Sequence, residues 1–261
     1  MSENDDTTLR YFYDEFADDY HLAYGGDWDT AVEAQSAALD ELIRDLAPDA
    51  HTVLDCSCGI GTQAVGLAKL GYRVVGGDIS SREIERARRE AERLGVEARF
   101  LVADFRDLSG VEGHFDVVIS CDNAIPHLLN ESDVPKVLTQ MYAKTRPDGL
   151  LVITMRDFDH ALAARPAIAP PVVIPGSPRR VLVRLHDWDD GLPLYTVRYL
   201  VLTESDGGWN VKEHTMRYRA VTRAELTAAA AAAGFGDIAW PADRTVVGDQ
   251  QVMTARAVKP S

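Results

Sequence analysis

The chain has 261 residues, with 41 acidic side chains against 27 lysines and arginines, which gives a formal net charge of −14 at pH 7. This balance argues against nucleic acid as the main partner, because affinity for a polyanion comes largely from cationic side chains. Hydrophobic residues make up 46% of the chain and charged residues 26%. That composition is ordinary for a globular protein and excludes wholesale disorder.

Three features of the sequence bear on its compartment. No apolar stretch approaches the ~20 residues needed to cross a bilayer. The first residues are acidic and polar, unlike a secretory signal. Cys56, Cys58 and Cys121 neither pair evenly nor form a CxxC motif, which suits a reducing compartment. We therefore expect a soluble cytoplasmic protein with no membrane partner.

Residues 1–48 are predicted to form a helical N-terminal lid. Thr30, followed three residues later by Glu33, fits a capping box, and apolar residues recur at roughly helical spacing until Pro48. The preceding stretch is unusually aromatic, with Tyr11, Phe12, Tyr13, Phe16, Tyr20 and Tyr24. Because one apolar stripe needs fewer rings, we expect these side chains to line or cover a site as well as to pack.

Short β-rich runs alternate with helical stretches across residues 49–159. The predicted strands cover 52–55, 73–76, 98–102, 115–120 and 150–155, and the predicted helices cover 62–70, 81–94 and 133–145. Near-continuous apolar strands separated by helices indicate a mostly parallel sheet covered on both faces. We predict a doubly wound, Rossmann-like α/β core with seven strands.

The last hundred residues divide into two regions. Five prolines between 166 and 178 forbid regular helix, and strands are predicted at 180–188, 195–203 and 209–217. We therefore predict that residues 160–218 form an antiparallel β insertion over the active site. Residues 219–261 add a helix bracketed by Thr222, Glu225 and Gly234, and strands near 238 and 252–257 that complete the core.

The sharpest motif is the turn that follows the first predicted strand. From Asp55 to Gly61 the sequence reads Asp-Cys-Ser-Cys-Gly-Ile-Gly, so a strand ends in an acid and a glycine loop opens a helix. Glycines let a ligand approach the backbone, and the helix N-terminus supplies free N–H donors. The second strand ends in Asp78, where an acid can accept both hydroxyls of a ribose. The third ends in Asp104-Phe105, where an acid could meet an adenine edge and a ring could stack.

The spacing Gly59-x-Gly61-x-x-Ala64 also satisfies the nicotinamide dinucleotide fingerprint. However, Asp55 and the three residues after it enlarge the loop and place a negative charge where a pyrophosphate would lie. Such a charge repels a phosphate and favours a cationic ligand. A nucleoside that carries an amino acid and a sulfonium fits better, and an NAD-dependent oxidoreductase is the less favoured alternative.

With these motifs the sequence resembles a class I S-adenosylmethionine-dependent methyltransferase, and within that superfamily the glycine/sarcosine N-methyltransferase group and its bacterial small-molecule relatives. The segment from Ile119 to Leu128, which ends in Asn-x-x-x-His-Leu, is similar to the group, as is the fifth strand followed by Arg156-Asp157-Phe158-Asp159. The resemblance implies S-adenosyl-L-methionine as cofactor and methyl transfer to the amine nitrogen of a small molecule, amino-acid-like or a natural-product amine of antibiotic biosynthesis.

The motifs and the resemblance together give candidate site residues. For cofactor binding they are Tyr13, Asp55, Ser57, Gly59, Gly61, Asp78, Ile79, Asp104, Phe105, Cys121 and His127. For catalysis they are Tyr20, Tyr24, Asn123, His127 and Arg156. Arg156 matches the family's arginine that holds a substrate carboxylate. The family's arginine for the cofactor carboxylate has no counterpart at positions 31–35, which leaves Gln35 or a tyrosine as the anchor.

Several alternatives stay open from the residues alone. Arg156 could be a surface ion-pair partner of Asp157 or Asp159, and His127 a histidine satisfied at a helix start. No His/Asp/Glu cluster has metal-ligand spacing, so we expect no metal. The fourth strand end lacks the Asn/Asp-Pro-Pro-Tyr motif of enzymes that methylate base amino groups. A tailoring O-methyltransferase and a non-catalytic cofactor-binding module remain alternatives to an N-methyltransferase. The oligomeric state stays open, with a homo-oligomer as one outcome.

Overall fold

Two β-sheets organise the computed structural model, which describes residues 12–13, 15–16, 19, 22, 25, 27–191 and 193–258. In chain order the strands are β1 (Thr52–Asp55), β2 (Arg73–Asp78), β3 (Arg99–Val102), β4 (Phe115–Ser120), β5 (Thr145–Met155), β6 (Ile168–Ile174), β7 (Arg180–Trp188), β8 (Leu194–Ser205), β9 (Gly208–Arg219), β10 (Phe235–Ala239) and β11 (Gln251–Ala257). The helices are α1 (Trp28–Leu46), α2 (Thr62–Lys69), α3 (Ser81–Leu94), α4 (Asp133–Lys144), α5 (Phe158–Ala164) and α6 (Arg223–Ala233).

The larger sheet has seven strands in the order β10-β11-β5-β4-β1-β2-β3. The five strands from β5 to β3 pair in parallel, and β11 lies antiparallel between β5 and β10. The predicted fold class, a mostly parallel seven-stranded α/β sheet, is confirmed. Since β1 and β4 are neighbours and the chain continues from β1 to β2 on the other side, the strand order reverses there. Ligands of open α/β sheets bind at such a point.

Successive residues of the central strands pack into two separate cores, one on each face of the sheet. In β1, Val53 belongs to the core beneath α1, α2 and α3, whereas Leu54 belongs to the core shared with α4 and the smaller sheet. Helices α1 and α2 approach closely at Gly66, where a Cβ atom would lie 2.5 Å from the Cβ of Ser36. This contact fixes α1 against the Rossmann-like core.

The smaller sheet is antiparallel, with the order β6-β7-β8-β9. Its inner face packs on the core that also contains Ile153, Met155 and Phe158, so it covers the carboxyl end of β5. The predicted antiparallel insertion is therefore confirmed, with one strand more than expected. Strand β6 contains Pro170 and Pro171, which it tolerates because it is an edge strand whose register shifts between Ala169 and Val172.

The predicted capping box at Thr30 is wrong. Helix α1 begins at Trp28, and the Asp27 side chain caps it by accepting hydrogen bonds from the backbone N–H and the hydroxyl of Thr30 at 3.1 and 2.7 Å. At α6 the predicted cap is confirmed, since the Thr222 hydroxyl accepts from the Glu225 N–H and Gly234 ends the helix. Among the described residues, no helix has the length and apolar character that a membrane crossing requires.

Candidate active site

A first cavity lies at the carboxyl ends of β1, β2 and β4. The structure brings together around it nine of the residues predicted to bind a cofactor: Tyr13, Ser57, Gly59, Asp78, Ile79, Asp104, Phe105, Cys121 and His127. Asp55 and Gly61 do not line it. Tyr20 and Tyr24, which were predicted to be catalytic, lie outside the described residues.

The glycine loop is fixed to the end of β2 by its own backbone. Gly59, with φ +50°, donates its N–H to Oδ2 of Asp78 at 2.9 Å. Gly61 has φ +89° and precedes the first residue of α2. A Cβ atom there would lie 3.0 Å from Cγ2 of Val65 and 3.1 Å from the Cβ of Ala87. Gly61 therefore serves the close packing of α2 on α3, whereas Gly59 is the glycine that faces the cavity.

Asp55 lies buried behind this loop. Its Oδ1 accepts a hydrogen bond from the Ser57 N–H at 3.2 Å, while Oδ2 has no hydrogen-bond partner among the described residues. Burial raises the pKa of this carboxyl to about 7. A buried carboxylate with an unused oxygen favours a positively charged ligand nearby.

The other two strand-end acids differ in their surroundings. Asp78 accepts from the N–H groups of Ser80 and Gly59, both at 2.9 Å, and burial raises its pKa to about 6. Asp104 is held by Arg106, whose Nε donates to both carboxylate oxygens at 2.9 and 3.0 Å. Sequence reasoning missed Arg106, which also lines the cavity. An adenine edge at this position would therefore meet a carboxylate whose charge is balanced by Arg106.

His127 is held neutral at the border of the first cavity. Its Nε2 lies 2.5 Å from the Tyr13 hydroxyl, its ring lies 4.5 Å from that of Tyr218, and its Nδ1 is buried with no partner among the described residues. Burial, with a smaller contribution from the charge of Arg156, lowers the pKa of this imidazole to about 3. The interpretation of His127 as a fully satisfied histidine is therefore wrong.

A second cavity of about 440 Å³ adjoins the first and shares Tyr13 and Asp122 with it. Among its lining residues are Gln35, Asn123, Arg156, Arg184, Tyr199 and Tyr218. It lies between the end of β5 and the inner face of the smaller sheet, so the insertion forms one wall. Sequence reasoning missed Arg184, Tyr199 and Tyr218 as residues of this cavity.

Asn123 is positioned by a strained turn. Asp122 and Asn123 follow β4 in succession with φ +57° and +68°, a conformation that costs energy for residues other than glycine. Asn123 donates its N–H to the Thr154 carbonyl at 3.2 Å, and its Oδ1 accepts from the Arg156 N–H at 3.1 Å. The amide Nδ2 is buried with no partner among the described residues, so it is a donor available to a ligand.

Arg156 makes no ion pair with the acids that follow it. Asp157 caps α5 by accepting from the His160 N–H at 2.9 Å, and Asp159 pairs with Arg223 at 3.2 Å. The guanidinium carbon of Arg156 instead lies 6.0 Å from the ring centre of Tyr218. Within the described ranges no carboxylate lies within salt-bridge distance of Arg156, so the surface ion-pair interpretation is wrong.

Gln35 stands at the boundary of the two cavities. Its Oε1 accepts a hydrogen bond from Nε2 of Gln63 at 2.6 Å; Gln35 lines the second cavity and Gln63 the first. Trp28 reinforces the same helix contact by donating its indole N–H to the Thr62 hydroxyl at 2.9 Å. Gln35 occupies the part of α1 where the resembled family places an arginine, and Gln63 meets it from α2.

Comparison with known proteins agrees with this geometry. Residues 53–149 match the model of a family described as a methyltransferase domain. A glycine/sarcosine N-methyltransferase from Parasynechococcus marenigrum is 30% identical over 199 residues, which cover 76% of this chain and 68% of that protein. The chain belongs to the class I S-adenosylmethionine-dependent methyltransferases.

Other relatives of this methyltransferase differ in their named reactions. A glycine/sarcosine N-methyltransferase from Halorhodospira halochloris is 29% identical, over 57% of this chain and 58% of that protein, so the match spans little more than half of the relative. A ubiquinone biosynthesis O-methyltransferase from Methylocella silvestris is 33% identical, over 52% of this chain and 50% of that protein. A solved amino pentose methyltransferase from Micromonospora echinaspora, with S-adenosylmethionine bound, has the same fold, with a TM-score of 0.75 and 22% identity over 92% of this chain and 96% of that one.

The first cavity of this methyltransferase fits its cofactor, S-adenosylmethionine. Asp78 presents a carboxylate suited to ribose hydroxyls, and Phe105 offers a ring beside the base. Asp55 lies behind the glycine loop and does not line this cavity, so its negative charge acts on a cationic ligand only at a distance. The Gln35–Gln63 pair supplies neutral amides, in place of an arginine, near the junction of the two cavities.

Proposed function

We propose that this methyltransferase transfers a methyl group to the amine nitrogen of a small, anionic acceptor bound in the second cavity. The observation that carries this proposal is the guanidinium of Arg156, which lines the cavity with no carboxylate partner among the described residues. When bound, S-adenosylmethionine supplies the methyl group as a sulfonium. Arg156 holds the anionic group of the acceptor, and the free Nδ2–H of Asn123 orients it.

The electrostatics of the cavity favour nitrogen over oxygen as the nucleophile. The described lining includes no histidine, although it does include the carboxylates of Asp27, Asp122 and Asp249. The neighbouring His127, with a pKa of about 3, is a poor base. Burial holds the pKa of Tyr218 well above its usual value, so its phenol is not a base either. An amine needs only its lone pair, and burial beside positive groups lowers its pKa. A hydroxyl acceptor would need a base to remove its proton, and a carboxylate is a weak base for an aliphatic hydroxyl.

Two of the relatives support the proposal, since both are named glycine/sarcosine N-methyltransferases. The structural neighbour named as an amino pentose methyltransferase supports the same reaction class on a larger amine. Positioning supplies most of the rate enhancement in such a displacement: holding two reactants in line can contribute ~7–11 kcal/mol.

The test is incubation with S-adenosylmethionine and a panel of glycine, sarcosine, aminosugars and phenols, followed by mass spectrometry for a one-methyl gain. Gain on amines is expected, and gain only on hydroxyl acceptors overturns the proposal. Arg156→Gln is expected to raise the acceptor KM by roughly 10- to 100-fold, the range for a hydrogen bond to a charged group. Arg223→Gln, which breaks an exposed ion pair with Asp159, is the matched control. An unchanged acceptor KM in Arg156→Gln contradicts the anion-binding role.

A further inference from the structure

Arg184 is a second guanidinium on the wall of the acceptor cavity. It lies on β7, directly opposite Tyr199 of β8 in the strand register. Because side chains alternate along a strand, Arg184 shares the inner face of the smaller sheet with Leu182 and Tyr199, both of which are buried. Its Nε is buried without a hydrogen-bond partner in the described part of the chain. The side chain therefore points into the cavity rather than to solvent.

Within the described ranges no hydrogen bond to Nε and no ion pair balances the charge of Arg184, although Asp122 of the same cavity attracts both guanidinium groups. Among the described residues, neither Arg184 nor Arg156 has a carboxylate within salt-bridge distance. Burial, together with repulsion from Arg156, lowers the pKa of Arg184. A guanidinium remains charged in proteins, and a buried charge without a partner is costly. An anion that enters the cavity removes this cost for both arginines.

The two arginines occupy separate positions. The guanidinium of Arg156 lies over the ring of Tyr218, whereas Arg184 lies opposite Tyr199 in the register of β7 and β8. The hydroxyls of these two tyrosines hydrogen-bond to each other at 2.7 Å. Each planar guanidinium matches one carboxylate in a bidentate arrangement. The cavity volume of about 440 Å³ is within the range of small-molecule pockets, so it can hold an acceptor longer than glycine.

We infer that the preferred acceptor is an amine that carries two carboxylates, one held by Arg156 and the second by Arg184. This inference rests on the proposed N-methyl transfer for the amine, whereas the second anion subsite rests on the geometry of Arg184 alone. The acceptor class is thus an aminodicarboxylate rather than glycine itself.

Calorimetry on the protein saturated with S-adenosylhomocysteine tests the subsite without any methyl transfer. Succinate is compared with butyrate, a monocarboxylate of the same chain length. We expect succinate to bind roughly 10- to 100-fold more tightly. Arg184→Gln should lower succinate affinity to the level of butyrate and leave butyrate unchanged. Arg198→Gln is the matched control, because Arg198 lies on the outer face of the same sheet, where it pairs with Asp187 and Glu213.

Equal affinities for succinate and butyrate, or a succinate preference that survives Arg184→Gln, overturn the inference. Arg184→Lys keeps the charge and is expected to retain part of the preference, which guards against a variant that folds poorly. Acceptor assays with aspartate against alanine then separate the two claims. Methylation of amines without a dicarboxylate preference defeats only this inference. Succinate binding through Arg184 with no methylation of any amine defeats the proposed function.

Discussion

The Tyr13 hydroxyl lies 2.5 Å from Nε2 of His127, and this hydrogen bond joins the aromatic N-terminal segment to the turn after β4. Because His127 is buried and neutral, its Nε2 can accept the hydroxyl proton of Tyr13 in a hydrogen bond between two uncharged side chains. The same contact places the two residues on the boundary of the cofactor cavity.

A first prediction concerns stability in acid. Since the pKa of His127 is about 3 in the folded protein and about 6.5 in an unfolded chain, only the unfolded state takes up a proton as the pH falls from 6.5 towards 3. Stability is therefore lost across that window, by about 2 kcal/mol at pH 5 for this group. The unfolding free energy of the wild type relative to His127→Gln, measured by urea denaturation, should therefore fall by about 2 kcal/mol between pH 7 and 5. The raised pKa values of Asp55 and Asp78 act in the opposite direction, but they do so in both proteins. His114→Gln, an exposed control, should keep the wild-type slope. Equal slopes for all three proteins contradict the prediction.

A second prediction concerns the pH dependence of cofactor binding. Burial raises the pKa of Asp78 to about 6, and a protonated carboxyl loses the capacity to accept two ribose hydroxyls. The Kd for S-adenosylmethionine should therefore rise as the pH falls below 6, by up to about tenfold per pH unit for this group. Asp78→Asn should bind more weakly at pH 8, by roughly 10- to 100-fold, and should show a shallower pH dependence by calorimetry. An unchanged dependence in Asp78→Asn would assign the effect to another group.

A third prediction separates backbone strain from close packing at two glycines. Gly61 and Gly95 both have positive φ, at +89° and +66°. A Cβ atom added at Gly61 would press on Val65 and Ala87, whereas one added at Gly95 would meet nothing within 4 Å. Both alanine variants should lose about 1 kcal/mol through strain. Gly61→Ala should lose a further ~1–3 kcal/mol through overpacking between α2 and α3. The two unfolding free energies from denaturant titration measure this difference, and equal losses would show that the helices adjust without cost.

A fourth prediction tests Asn123 without disturbing its backbone. Because φ at Asn123 is +68°, Asn123→Gly keeps the turn and removes the amide group, including the Oδ1 that accepts from the Arg156 N–H. Asn123→Asp keeps that acceptor and removes only the Nδ2 donor. We expect acceptor kcat/KM to fall by roughly 10- to 100-fold, with little change in the Kd for S-adenosylmethionine. Asp148→Gly is the control, since Asp148 is exposed and has φ +63°, and its activity should match the wild type. Retention of acceptor kcat/KM in Asn123→Gly would remove this residue from the acceptor site.

The cofactor side of the molecule follows from short-range signals in the sequence. Alternating apolar strands and helices predict a parallel sheet, and parallel strands bring their carboxyl ends to one edge. Those two rules are enough to place Ser57, Gly59 and Asp78 around one cavity. They do not select the helix cap at Asp27, since Asp27 and Thr30 are both good caps, and the choice depends on where α1 meets α2.

The acceptor side is less visible in the sequence. In β7 the apolar residues Val181, Leu182, Val183 and Leu185 surround Arg184, so the alternation of apolar and polar residues does not show which face is inward. That choice is made when the smaller sheet packs on Met155 and Phe158, an interaction between distant parts of the chain. Arg106 could not be found from the sequence because nothing in its local pattern indicates burial. Only the folded structure shows that it is buried and bonded to Asp104.

Most of the acceptor cavity is built by a stretch of the chain other than the one that binds the cofactor, although Gln35 and Asn123 line it from earlier positions. The region that matches the methyltransferase family ends at residue 149, whereas Arg156, Arg184, Tyr199 and Tyr218 all follow it. Residues that select the acceptor can therefore change without altering those that bind the cofactor. Evolution can exchange inward-facing residues of β7, β8 and β9 while leaving the glycine loop intact, and a chimaera that carries residues 160–218 on a related core would be expected to bring its acceptor preference with it.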